Sequence, residues 1–149
     1  KDKLPTWFST ENIIYPAKIS IEQTSSEKTA TYKASIVSGE SLIDLTGGFG
    51  VDDYFFSKNV TSVAHCELNP ELSAIVAHNF KQLNINNCTC YAGASLETLK
   101  KLNTKWDWIY IDASRRNDAK GKVFFLKVFL PYVPVYLDFF FTYSAYISF

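Results

Sequence analysis

The segment of residues 42–52 constrains the fold of this chain more than any other. It begins with the short apolar run that is typical of a strand covered on both faces, and a carboxylate, Asp44, lies at the end of that strand. Three glycines follow within four residues, Gly47, Gly48 and Gly50, and they allow a sharp turn and a close approach to a ligand. The residues after Gly50 can begin a helix whose free N–H groups face the same ligand. The segment therefore predicts the nucleotide-binding corner of an open α/β sheet.

Strand and helix patterns alternate along the chain and predict the rest of the sheet. Strands are predicted at residues 42–45, 61–66, 88–91, 108–111 and 139–149, and helices at residues 52–58, 70–83, 96–102 and 120–129. In the helix at residues 70–83, apolar residues recur at spacings of three and four. This alternation predicts an α/β core over residues 41–149, with a Rossmann-like, doubly wound and mostly parallel sheet and helices on both faces.

Residues 1–40 are predicted to form an N-terminal extension to this core. Residues 1–15 are rich in turn-forming types. Thr24 and Glu27 have the spacing of a capping box, in which Thr24 is the N-cap and Glu27 bonds back to it. They predict a helix that continues through residues 29–37 and packs on the sheet.

The charge balance and the cysteines narrow the classes of function. The chain has 15 basic and 15 acidic side chains. This balance gives no support for broad electrostatic capture of nucleic acid, although it leaves room for a local basic patch. Cys88 and Cys90 do not have the spacing of a zinc site, and the total of three cysteines is odd. We therefore expect no metal site, and reduced thiols in a cytoplasmic protein.

The ends of the chain lead to two further expectations. The uncharged stretches near the C-terminus, residues 128–137 and 139–149, are too short to span a bilayer, so we expect no membrane segment. The chain contains no methionine, and it ends within the predicted strand at residues 139–149. We therefore expect a piece of a longer protein whose sheet is incomplete at the C-terminus.

Three predicted strands end at or close to an acidic residue: Asp44, Glu67 and Asp112. Ligands of open parallel sheets bind at the carboxyl ends of the strands, so these three side chains are candidates for one site. Glu67 lies 17 residues beyond Gly50, a placement that suits a carboxylate accepting hydrogen bonds from ribose hydroxyls. The alternative role for Glu67 is N-capping of the following helix, which Asn69 could perform instead.

The glycine pattern distinguishes between cofactor classes. A nicotinamide-binding fingerprint that starts at Gly48 needs glycine or alanine at the position that Asp53 occupies. Asp44 followed by the three glycines instead resembles the first motif of class I S-adenosylmethionine-dependent methyltransferases, and the resemblance covers residues 41–149. In that family the acidic residue and the glycines surround the methionine end of the cofactor. The resemblance implies S-adenosyl-L-methionine as cofactor, bound by Gln23, Asp44, Thr46, Gly47, Gly48, Gly50, Asp52, Glu67 and Ser95.

Residues 21–27, 44–52 and 112–116 together resemble a bacterial methyltransferase group that carries a THUMP-like domain after the catalytic domain. The first glycine motif is also similar to that of RNA guanine-N2 methyltransferases. These resemblances imply an enzyme that methylates a base nitrogen of tRNA or rRNA. Two residues depart from the pattern: Ala113 replaces a proline after the catalytic acid, and Ala94 replaces an aspartate that contacts the adenine amino group.

The segment of residues 112–117 is the candidate catalytic loop. Asp112 is our candidate to accept the proton or the developing positive charge of the methylated amine. Arg115 and Arg116 are candidates to bind RNA phosphates, although a solvent-exposed loop with ion pairs to Asp118 is the alternative. Two other functions stay open: a non-catalytic module that binds cofactor or RNA, and a methyltransferase acting on a small molecule.

Overall fold

The computed structural model describes residues 2–112 and 144–148, which contain a five-stranded parallel sheet. Its strands are β1 (Gly39–Asp44), β2 (Val60–Glu67), β3 (Cys88–Ala92), β4 (Trp106–Tyr110) and β5 (Ser144–Ser148). The spatial order is β3-β2-β1-β4-β5, and every neighbouring pair is parallel. The chain moves outward from β1 to β3 and then returns to β4 on the other side of β1. The carboxyl ends of β1 and β4 therefore form the switch point at which such sheets bind ligands.

The described residues also contain six helices. They are α1 (Pro5–Ser9), α2 (Lys18–Gln23), α3 (Glu27–Ile36), α4 (Val51–Phe56), α5 (Pro70–Gln82) and α6 (Ser95–Leu102). The predicted helices at residues 52–58, 70–83 and 96–102 correspond to α4, α5 and α6, with ends that differ by at most two residues. The predicted helix at residues 120–129 lies outside the described residues.

Both faces of the sheet are covered, as a doubly wound fold requires. Neighbouring residues of a strand point to opposite faces, so Leu42 and Ile43 enter two different clusters, and both are fully buried. The first cluster joins the sheet to α3 and α4 through Ala34, Val37, Leu42, Phe56, Val60, Val63 and Tyr110. The second joins it to α6 through Ile43, Leu45, Ala64, Cys66, Leu99 and Ile109. The predicted fold class is confirmed.

The predicted capping box at Thr24 is wrong. Thr24 is the C-cap of α2, and the N-cap of α3 is Ser26, whose hydroxyl accepts a hydrogen bond from the Thr29 N–H at 3.1 Å. Glu27 does not bond back to Thr24; its carboxylate accepts hydrogen bonds from the Thr6 N–H at 2.6 Å and the Thr6 hydroxyl at 2.7 Å. The Glu27 carboxylate, which the local pattern assigned to the start of the helix, therefore binds a residue distant in the sequence instead.

Residues 1–15, expected to be turns, contain the helix α1. Pro5 stands at the start of α1, where its missing N–H removes no helical hydrogen bond. Trp7 is fully buried and packs against Phe49, just beyond the first two glycines of the turn, and edge-on against Tyr54 of α4. The N-terminal extension thereby packs directly against the segment that leads from the glycines into α4.

The corrected helix start can be tested by substitution. Ser26→Ala should lower the free energy of unfolding by about 1 kcal/mol, because the Thr29 N–H loses its acceptor. Thr24→Ala is the matched control and should cost less, because Thr24 begins no helix. Chemical denaturation of both variants measures the difference. A larger loss of stability for Thr24→Ala than for Ser26→Ala would contradict this assignment and favour Thr24 as the N-cap.

Candidate functional site

A cleft of about 270 Å³ lies at the carboxyl ends of β1, β2 and β4. Its walls come from the N-terminal extension, the glycine turn and the first residues after β2 and β4. Eight of the residues predicted from the sequence line it: Gln23, Asp44, Thr46, Gly47, Gly48, Asp52, Glu67 and Asp112. The parallel sheet thus brings together side chains that are as far as 89 positions apart in the chain, Gln23 and Asp112.

The glycine turn is fixed against the core on its inner side. The Gly47 N–H donates to the Cys66 carbonyl at 2.9 Å, and a Cβ on Gly47 would overlap the His65 ring. Gly50 has a φ of +76°, and a Cβ there would lie 2.8 Å from both Phe80 and Val76. These two glycines are therefore needed for packing, although Gly50 itself does not line the cleft.

Gly48 is different, because a Cβ there would meet only the Thr46 carbonyl oxygen, at 3.7 Å. Its φ of +55° lies in the left-handed region that glycine adopts readily. Its N–H donates to Glu67 Oε2 at 3.1 Å. Gly48, the middle glycine of the turn, thus leaves open space at the cleft wall. A ligand needs such space to come close to the backbone.

Asp44 and Thr46 connect the end of β1 to the residues after β4. Asp44 Oδ1 accepts hydrogen bonds from the Thr46 N–H at 2.6 Å and from its hydroxyl at 2.9 Å. The Thr46 hydroxyl oxygen in turn accepts a hydrogen bond from the Asp112 N–H at 2.7 Å. Burial raises the pKa of Asp44 well above its ordinary value, and the charge of Asp53 adds to this rise, against the opposing effects of His65 and Thr46.

A buried acid–base pair lies beneath the glycine turn. His65 Nδ1 is 2.5 Å from Asp53 Oδ2, and both side chains are fully buried. Burial, followed by the charge of Asp52, raises the pKa of Asp53 well above its ordinary value. Sequence reasoning treated Asp53 only as the residue that breaks the nicotinamide fingerprint, and His65 as core. The alternation of β2 offers a signal for the pair, since it places His65 on the same face as Glu67.

Glu67 is held at the opposite side of the cleft by two backbone donors. Its Oε2 receives the Gly48 N–H, and its Oε1 receives the Asn69 N–H at 2.8 Å. Asn69 is the N-cap of α5, because its Oδ1 accepts hydrogen bonds from the N–H groups of Glu71 and Leu72. The capping role that was the alternative for Glu67 therefore belongs to Asn69. Each carboxylate oxygen of Glu67 has a second acceptor position for a ligand.

Asp52, Tyr110 and Asp112 line the other end of the cleft, and all three contact Lys33, which does not itself line the cleft and which the sequence did not predict. Lys33 Nζ lies 2.8 Å from Asp112 Oδ2, 3.0 Å from Asp52 Oδ2 and 2.6 Å from the Tyr110 hydroxyl. Burial lowers the pKa of Lys33, but the two carboxylates outweigh it and raise that pKa overall. Burial and the nearby carboxylates raise the pKa of Tyr110. Lys33 lies three positions after Ala30 and next to Ala34, the two buried residues of α3. A charged residue so close to the buried side of a helix was the available sign that it has a partner.

The remaining predicted residues fall outside this cleft or outside the described part of the chain. Ser95 is the first residue of α6, and the cleft lining does not include it. Ala94 is the N-cap of α6, and its side chain forms no capping bond. Arg115, Arg116 and Ala113 lie outside the described residues.

Within residues 2–112 and 144–148, no group of three or more histidine, cysteine, aspartate or glutamate side chains could hold a metal ion. In the same part of the chain, no helix combines the length and the apolar character needed to cross a membrane.

Comparisons with solved structures give the class of fold: it is the Rossmann-like α/β fold found in methyltransferases. A proposed methyltransferase from Porphyromonas gingivalis W83 is 30% identical with a TM-score of 0.68, over 76% of this chain and 29% of that one. The tRNA m1G37 methyltransferase from M. jannaschii is 10% identical with a TM-score of 0.54, over 81% of this chain and 34% of that one.

A third structure is the O-methyltransferase from Bacillus cereus in complex with SAH, which is 16% identical with a TM-score of 0.52. That match covers 68% of this chain and 57% of the other. The chain therefore spans about a third or less of the first two neighbours and somewhat more than half of the third. No family model matches the chain, and no curated protein matches it.

The raised pKa of Asp44 predicts a characteristic pH dependence. Between its unfolded and folded pKa values the native state binds more protons, so this group makes stability fall as pH rises through that window. Asp44→Asn removes the titration, while its Oδ1 can still accept the Thr46 hydrogen bonds. Relative to the wild type, the variant should therefore gain stability as pH rises above the unfolded pKa of the carboxyl group, by at most about 1.4 kcal/mol for each pH unit, until the folded pKa is passed. Urea denaturation at several pH values measures this, and a constant difference would contradict it.

Proposed function

We propose that the protein is an S-adenosylmethionine-dependent methyltransferase that acts on a base nitrogen of tRNA or rRNA. The observation that carries this proposal is Glu67, held by the N–H groups of Gly48 and Asn69 across a cleft from Asp52 and Asp112. Support also comes from the solved structures with this fold, which include a tRNA methyltransferase and an O-methyltransferase in complex with SAH.

The cleft suits this cofactor in two respects. Glu67 offers free acceptor positions to the ribose hydroxyls, at the turn where Gly48 lets the backbone come close. Asp52 Oδ1 is buried and has no hydrogen-bond partner among the described residues, so it can accept a hydrogen bond from the amino group of the methionine end. At the start of α6, Ala94 offers no side-chain acceptor to the adenine amino group, so adenine recognition there depends on other groups.

S-adenosylmethionine, when bound, supplies a methyl group activated by a positively charged sulfur. The role of this chain is to align the acceptor nitrogen and to stabilise its developing positive charge. Asp112 is the residue we assign to that role. Its Oδ2 receives a hydrogen bond from Lys33 and lies 3.3 Å from the Tyr110 hydroxyl, and among the described contacts its Oδ1 is left for the acceptor. Arg115 and Arg116 are proposed to hold RNA phosphates.

The motifs at residues 21–27, 44–52 and 112–116 extend the proposal to the bacterial group whose catalytic domain is followed by a THUMP-like domain. Ser25, within the first of these motifs, donates a hydrogen bond to Asp52 Oδ2 at 3.0 Å. The N-terminal motif thus contributes to the same cleft as the glycine motif, which supports reading the motifs as one site. A cytoplasmic location is part of the same proposal.

Cofactor binding can be tested through Glu67. Glu67→Gln should weaken the binding of S-adenosylhomocysteine by about 10- to 150-fold, which corresponds to the loss of one charge-assisted hydrogen bond. Isothermal titration calorimetry measures the Kd. Glu71→Gln is the matched control, because Glu71 is exposed, lies on the next helix and does not line the cleft. Equal affinities of the two variants would remove Glu67 from the site.

The catalytic role can be tested through Asp112. Asp112→Asn should retain the affinity for S-adenosylhomocysteine and reduce methyl transfer by about 100-fold, because the amide carries no charge to stabilise the acceptor. Transfer of tritium from labelled S-adenosylmethionine to total RNA measures the activity. Glu97→Gln, an exposed change on α6, is the control. A parallel loss of binding and transfer would make Asp112 a structural residue.

The same assay distinguishes the other candidate functions. The zero net charge and the structural likeness to an O-methyltransferase favour a small-molecule acceptor as the second candidate. In that case S-adenosylhomocysteine binds but no label enters RNA, and label instead appears in a fraction of small metabolites. Binding without transfer to either fraction would identify a non-catalytic module, which Ala94 and Ala113 motivate.

A further inference from the structure

We propose that Lys33 is a positioning residue that holds Asp52 and Asp112 together at the end of the cleft opposite Glu67. This inference rests on the proposed function and extends it. It gives the N-terminal extension a part in methyl transfer, because α3 supplies the charge that orients the acceptor-binding carboxylate.

The contacts of Lys33 join three separate parts of the chain. Its ammonium group on α3 contacts Asp52 at the start of α4 and Asp112 beyond the end of β4. It also contacts the hydroxyls of Ser25 and Tyr110, at 3.0 and 2.6 Å. These two hydroxyls themselves donate to Asp52 Oδ2, at 3.0 and 3.1 Å. The result is one connected network with a cation at its centre.

The network has more negative than positive charge, so its geometry depends on the cation. Asp52 and Asp112 each place an oxygen within 3.0 Å of the same nitrogen, and without that nitrogen the two carboxylates would repel each other. The Asp52 side chain is only 12% exposed and packs in place, whereas that of Asp112 is 48% exposed and can turn toward solvent. Loss of Lys33 should therefore displace Asp112 more than Asp52.

A purely structural ion pair between α3 and the sheet is the competing explanation. It predicts that loss of Lys33 lowers stability and that its effect on activity adds to the effect of changing Asp112. A positioning role predicts that the two effects on activity are not additive, because Lys33 then acts only through Asp112. Once Asp112 has been neutralised, removing Lys33 should therefore have little further effect on methyl transfer.

The test is a double-substitution cycle in the full chain. Lys33→Met keeps most of the aliphatic stem and should reduce kcat for tritium transfer to total RNA by about 10- to 100-fold, with a smaller change in the Kd for S-adenosylhomocysteine. In the Asp112→Asn background, Lys33→Met should reduce transfer by less than about threefold. Lys28→Met on the exposed side of α3 is the matched control and should leave transfer unchanged.

Lys33→Arg is the second variant, which keeps the charge but not the geometry of the ammonium group. It should retain more transfer than Lys33→Met, and it carries the cycle with Asp112→Asn if Lys33→Met does not fold. Additive losses in the cycle, or transfer by Lys33→Met equal to that by Lys28→Met, would overturn the inference while the proposed function stands. Failure of the proposed function is recognised separately, in the wild type, by the absence of both S-adenosylhomocysteine binding and methyl transfer.

Discussion

The pairing of β1 with both β2 and β4 is the constraint on which the candidate site depends. Backbone hydrogen bonds extend the pairing past the end of β1, from the Leu45 N–H to the Tyr110 carbonyl and from the Gly47 N–H to the Cys66 carbonyl. These hydrogen bonds fix the position at which the glycine turn begins between β2 and β4. Because all three strands are parallel, the acidic residues at or just beyond their carboxyl ends meet at one edge of the sheet.

Burial gives the acidic residues of this edge different properties. Asp44 and Asp53 lie beneath the turn, out of solvent, where burial raises their pKa values. Asp44 accepts hydrogen bonds from Thr46, and Asp53 contacts the His65 ring. Glu67 and Asp112 lie at the rim and remain accessible to a ligand. The buried carboxylates support the turn through their contacts with Thr46 and His65, and the rim carboxylates are the ones we propose for recognition. This division explains why so many acids can share one cleft in a chain of zero net charge.

The limits of sequence reasoning are clearest in the N-terminal extension. Thr24 and Glu27 satisfied a local capping pattern, yet Ser26 is the cap and Glu27 binds Thr6, because a contact between distant residues competes for the same carboxylate. Lys33 was missed for a related reason. Its partners are 19 and 79 positions away, and no periodicity of α3 encodes them. The helices and strands after residue 41 were predicted more accurately, because they depend mainly on the local spacing of apolar residues.

The sequence by itself determined the α/β class, the α4–α6 helices, the glycine turn and the acidic residues at the strand ends. These features are local, since apolar spacing and the conformational freedom of glycine act over a few residues. Only the tertiary structure decided that Asn69 rather than Glu67 caps α5, that Asp53 pairs with His65, and that Lys33 joins Asp52 to Asp112. Such partners are chosen by strand register and helix packing, which bring together side chains whose separation in sequence does not by itself identify the contact.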